Sequence, residues 1–202
     1  MLFAIPWWVN LLVLVPFASW YIWSKSGGLT ISTRVLILTG LFGIAFGFME
    51  AAVVVYLRAA LGLLPGFEGT LSDVVKLSLT VYEQAQLLEK LPKSLITVEL
   101  FREAATMVML ATIALVTAKR LREWWAIFLW VFAFWDIFYY VGLWATVRWP
   151  SSLLTPDVLF LIPTPWFSQV WFPLLVSALL LVSVMLARKS YGRTEEPKNY
   201  PV

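Results

Sequence analysis

Val35 to Leu57 reads VLILTGLFGIAFGFMEAAVVVYL, 23 residues with one charged side chain, Glu50. As a helix rising 1.5 Å per residue it extends about 34 Å, enough to cross roughly 30 Å of hydrocarbon. A soluble domain has little use for an apolar run of this length. The stretch therefore predicts a membrane span, and the rest of the chain can be read outward from it.

Four more apolar runs follow the same rule, near 3–24, 95–118, 124–147 and 168–187. The expected fold is an all-α integral membrane protein, a bundle of about five transmembrane helices forming one domain over residues 1–189. Composition agrees. Hydrophobic residues make up 61% and charged residues 13%, with a mean hydropathy of +0.83. A soluble chain carries roughly a quarter charged residues. Twelve tryptophans suit bilayer interfaces, where a ring with one polar atom sits well. Pro16 is expected to kink the first run. Gly43 and Gly47 in the second are spaced to admit a close neighbouring backbone. No basic stretch precedes the first run and no Ala-x-Ala follows it, so it reads as a retained span rather than a signal peptide.

The chain has neither cysteine nor histidine. Disulfides, thiolate metal sites, the usual haem and zinc ligands and a histidine base are thereby excluded. No metal or cofactor is expected, although a cation held by carboxylates alone is compatible with the composition. The net charge of +3 does not point to nucleic acid, because the basic residues sit mostly in short segments beside apolar runs. The expected partners are the lipid bilayer and either larger subunits of a membrane complex or further copies of the chain.

Those basic residues set the orientation. Lys25 and Arg34 lie between the first two runs, and Lys119, Arg120 and Arg122 between the third and fourth. Arg188, Lys189, Arg193 and Lys198 follow the fifth. With five spans all three groups fall on one side, which is then cytoplasmic. The N-terminus is expected outside, and the C-terminus inside, with a polar tail over 190–202.

Two outer segments are longer than connectors need to be. Residues 58–94 contain Leu64-Pro65-Gly66 and then Val74, Leu77, Val81, Leu88 and Leu91 at amphipathic helical spacing. Residues 150–167 are apolar but interrupted by Pro150, Pro156, Pro163 and Pro165. A re-entrant or interfacial turn is expected there, and irregular backbone at that depth must be covered by protein or face a wet cavity.

The functional signal is charge inside the spans. Glu50, Glu99, Arg102, Glu103 and Asp136 all fall within apolar runs. Each costs roughly 2.5–3.5 kcal/mol at a helix centre, so such residues turn towards protein or water. By the inferred topology all lie at the midplane or in the outer half, whereas the inner half reads as apolar packing. Glu99, Arg102, Glu103 and Thr106 recur at three and four residues, as do Asp136, Tyr139 and Tyr140. A buried polar cluster is expected from Glu50, Glu99, Arg102, Glu103, Asp136, Tyr139 and Tyr140, with Arg58 and Asp157 at its rim or lid. Three functions suit it: a structural or accessory subunit of a membrane complex, an outward-facing site for a cation, proton or small polar solute, or an intramembrane enzyme acting on a lipid-linked substrate. No HExxH, GxSxG or phosphate-loop pattern favours the enzyme, and no catalytic residue can be named.

Overall fold

The computed structural model describes residues 3–60 and 93–194, with side chains for 3–57 and 94–188. Its elements run β1 (Ala4–Ile5), a 3-10 helix (Trp7–Val13), α1 (Leu14–Lys25), α2 (Thr33–Ala60), α3 (Lys93–Thr117), α4 (Leu121–Val147), β2 (Pro156–Phe160), β3 (Trp166–Gln169) and α5 (Trp171–Thr194). Four helices, over Thr33–Leu57, Ser94–Thr117, Leu121–Val147 and Trp171–Arg188, are long and apolar enough to cross a membrane. The amphipathic stretch expected after Leu64-Pro65-Gly66 lies outside the described residues, and so does the tail beyond Thr194. Helix α5 continues to Thr194, past the point where the polar tail was expected to begin.

The first apolar run is not one α-helix. Pro6 caps the 3-10 helix, and the α-helical segment starts only at Leu14. Pro16 sits in its first turn, where the missing N–H costs least. Asn10 explains the entry. Its Oδ1 accepts from the Phe3 and Ala4 N–H groups (2.9 and 3.0 Å), and its Nδ2 donates to the Ala4 and Trp7 carbonyls (both 2.8 Å). One amide side chain thus supplies the hydrogen bonds that a helix would otherwise give these residues.

Helix α4 occupies the centre, packing on α2, α3 and α5, while α1 lies against α5. The α2–α4 contact is the tightest. A Cβ on Gly43 would stand 2.8 Å from both Phe134 Cβ and the Val131 carbonyl oxygen, and one on Gly47 would stand 2.5 Å from the Trp135 carbonyl oxygen. On the opposite helix, a Cβ on Gly142 would meet Ala51 Cβ at 2.8 Å. The glycine spacing seen in the sequence is the seam along which two backbones meet.

The proline-rich segment, expected as a re-entrant or interfacial turn, forms a β-hairpin. β2 and β3 pair antiparallel with Asp157 opposite Ser168 and Val158 opposite Phe167, and β1 adds to the far side of β3 with Ala4 opposite Ser168. Prolines forbid a helix here, and Pro156 stands at the first position of its strand, where no ladder bond is lost. The three strands satisfy each other's backbone at the end of an otherwise helical protein.

The opposite end is held by a separate set of bonds. The Leu29 N–H reaches the Ala187 carbonyl at 3.4 Å, Arg188 donates to Thr33 Oγ1, and Arg122 donates to the Ser26 carbonyl. These bonds join the end of α1, the start of α2, the start of α4 and the end of α5. Lys25, Arg34, Lys119, Arg120, Arg122 and Arg188 all belong to this basic end. Glu123 is also buried here, accepting from the Thr30 hydroxyl and from the Lys119 N–H (3.3 Å). The expectation that this half holds only apolar packing is corrected. This carboxylate, on the third residue of α4, takes up a hydroxyl from the α1–α2 connector and a backbone N–H just ahead of its own helix.

Candidate functional site

The charged residues expected inside the membrane gather at the hairpin end, where hydrogen bonds sort them into four adjoining groups. The first ties α2 to α3. Arg102 forms an ion pair with Glu50, and the same Glu50 carboxylate accepts from the Thr106 hydroxyl. Arg102 also reaches back one turn, its Nε donating to Glu99 at 2.9 Å and its Nη2 standing 2.8 Å from the same oxygen. The i, i+3 and i+4 spacings put Glu99, Thr106 and Arg102 on one stripe, and that stripe meets Glu50 on the neighbouring helix. Glu50 is only 4% exposed. A guanidinium between two carboxylates keeps the local charge near −1, and its fork geometry suits both partners.

The second group ties α3 to the hairpin. Glu103 accepts the Leu161 N–H at 2.8 Å and the Ile162 N–H at 3.0 Å, one on each carboxylate oxygen. These amides lie where the strand ladder ends, between β2 and β3. They need acceptors, and Glu103, 7% exposed, provides both. This role was not legible in the sequence, because it depends on a hairpin 58 residues away.

The third and fourth groups lie against α4. Ser177 on α5 donates to Asp136 at 2.7 Å, and Tyr140, one turn after Asp136, donates to Asp157 on β2 at 2.9 Å. Asp157 was expected at the rim of a cavity or on its lid. It is 5% exposed, because the strand pairing that sets it opposite Ser168 turns it towards α4. Asp136, 8% exposed, has no basic partner among the described residues, and Asp157 is near enough to act on it electrostatically. Tyr139 stacks loosely on Trp135 at 6.5 Å and meets the Tyr140 ring at 5.0 Å. It lies close to Arg102, and so stands between the α3 group and the α4 group. The Arg58 side chain lies outside the described residues.

Ser177 and Thr106 complete these groups, and the sequence distinguished them poorly from other hydroxyls in apolar runs. Only Thr106 carried a signal, its place on the Glu99–Glu103 stripe. Among the described residues, no three or more acidic, histidine or cysteine side chains are gathered so as to hold a metal. No protein-family model, curated protein or solved structure matches the chain.

Proposed function

We propose that the chain is a five-span membrane protein with its basic end in the cytoplasm, acting as a structural or accessory subunit of a larger membrane assembly. One observation carries this reading. The intramembrane charged groups bond mainly to other elements of the same chain: Glu50 to α3, Glu103 to the hairpin, Asp136 to α5, and Tyr140 to Asp157. Groups used in this way hold a small bundle together at one end, as a scaffold requires. The fifth crossing is supplied by the 3-10 helix and α1 together, about 32 Å long at 2.0 and 1.5 Å per residue. The odd number of crossings then places on one side the three segments that hold nine of the fifteen basic residues.

Affinity purification from the native membrane in a mild detergent tests the proposal. Stoichiometric recovery with larger membrane subunits is expected. Recovery of the chain alone would reject it.

The Asp136–Asp157 pair favours a second reading, a site for a proton or a small cation. Two buried carboxylates acting on each other, with Ser177 and Tyr140 as hydroxyl partners, are poorly placed to be charged together in a low-dielectric interior. Proton or monovalent-cation flux into proteoliposomes, lost in Asp136→Asn, would support this reading. Equal flux in the wild type and in empty liposomes would remove it.

A further inference from the structure

Helix α4 has an aromatic face, apart from its carboxylate groups, that packs along the edge of the bundle core. Its deeply buried positions, such as Ala126, Ile127, Val131 and Ala133, lie in the core of the bundle. Trp124, Trp125, Phe128 and Phe132 form another stripe and are only half buried. Their rings follow one another along the helix. Phe128 stacks on Trp124 at 5.9 Å and on Trp125 at 5.7 Å, then meets Phe132 at 6.3 Å, and Phe132 stacks on Phe160 of the hairpin at 6.3 Å. The two indoles at the basic end reach to different helices. Trp124 Nε1 donates to the Ala111 carbonyl on α3 at 3.2 Å, and Trp125 Nε1 donates to Ser19 Oγ on α1 at 3.0 Å. The aromatic stripe therefore floors the seam between α1 and α3. From Trp124 to Phe132 it covers about 12 Å, close to the roughly 15 Å depth of one leaflet's hydrocarbon.

The basic end of this seam carries cations. Lys25 closes α1, is exposed, and lies 5.8 Å from the Tyr21 ring centre. Arg122, in the first turn of α4, donates to the carbonyl of Ser26, the residue after Lys25, while its Nε makes no hydrogen bond. That Nε is buried, so a ligand at this end would meet only the terminal Nη groups of the guanidinium. Arg120 is exposed at the start of the same helix, whose first turn already holds the buried Glu123 carboxylate. Ser26 and Gly28 cover the last carbonyls of α1, their N–H groups bonding Ile22 at 3.1 Å and Trp23 at 2.8 Å. The negative end of that helix is thus partly masked.

We infer that the seam between α1 and α3 binds an anionic phospholipid, its phosphate on Lys25 and Arg122 and its acyl chain along Trp124, Trp125, Phe128 and Phe132. An aromatic floor one leaflet deep with cations at its water end is complementary to such a lipid in both length and charge. A partner helix would fill the floor but leave the cations without a counterpart. The inference rests on the membrane-spanning reading and does not depend on the subunit role.

The test is lipid retention by the purified full chain. Delipidated protein in neutral detergent is titrated with phosphatidylglycerol and, separately, with phosphatidylcholine of the same chains, and bound lipid is counted by native mass spectrometry. One phosphatidylglycerol should bind about ten-fold more tightly than phosphatidylcholine. Lys25→Gln and Arg122→Gln should each weaken phosphatidylglycerol about five-fold, the effect of one interfacial charge. Arg122→Lys should retain most of the binding, and Phe128→Ala should weaken both lipids alike. Arg34→Gln, at the same end but on α2, should change nothing. Equal affinity for the two lipids, or an Arg34→Gln loss matching that of Arg122→Gln, would overturn the site. Carbonate extraction of the wild-type membranes separates the premises. A chain released by carbonate fails the membrane reading, whereas a retained chain that does not discriminate between lipids fails only this inference.

Discussion

Arg102 and Glu103 are adjacent in sequence but have different tasks. Arg102 is a charge partner, so removing it leaves Glu50 buried beside Thr106 alone. Arg102→Leu should lower stability by about 3 kcal/mol, the lower range for breaking a buried pair. The double variant Glu50→Leu/Arg102→Leu should recover part of that loss, because no orphaned charge remains there. Denaturant unfolding in detergent micelles reads both, and a double variant no better than the single one would contradict this account. Glu103 is an acceptor for backbone. Glu103→Ala leaves the Leu161 and Ile162 amides unpaired, at about 1–3 kcal/mol each. Glu103→Gln keeps one carbonyl oxygen and should lose about half as much. Hydrogen exchange should rise at residues 161 and 162 in the alanine variant while the amides of α2 stay protected.

Among the elements, the α2–α4 seam is the least tolerant of added volume. Gly47→Ala places a methyl group 2.5 Å from a backbone oxygen, which neither helix can relieve by rotating a side chain. A loss of about 1–3 kcal/mol is expected. Gly40→Ala meets only the Phe134 ring edge at 3.3 Å and the Trp130 indole nitrogen at 3.4 Å, so it should cost clearly less. Thermal unfolding of the two variants side by side tests the order, and the reverse order would place the tight crossing elsewhere. The Gly43/Gly47 spacing made this seam legible, but not its partner: any of the other helices could have met those glycines. The hairpin was legible only as a place where prolines exclude a helix. Its pairing with β1 depends on residues more than 150 positions away, and the Asn10 bonds that hold the N-terminal turn gave no periodic signal.

For the whole molecule, the natural lack of cysteine allows a clean test of the α4 crossing and its direction. Lys119→Cys at the basic end should react with an impermeant maleimide only after the cells are opened. Leu154→Cys, exposed beside the hairpin, should react in intact cells. The same accessibility for both would refute an odd number of crossings between them.

The amino-acid sequence alone determined that the chain is apolar enough to span a membrane, where its main helices lie, and that nine of its fifteen basic residues fall into three separated segments. Those properties follow from the length and composition of contiguous runs, which water and lipid sort without reference to tertiary contacts. The same reasoning put the intramembrane charges in one layer, because depth along a helix is counted in residues. Only the tertiary structure decided which charge meets which group. That Glu50 pairs with Arg102, that Glu103 serves backbone rather than another side chain, and that Asp157 is buried all depend on how the helices are rotated and on a hairpin formed across the chain. A carboxylate in lipid must find a donor, but sequence spacing does not say which one.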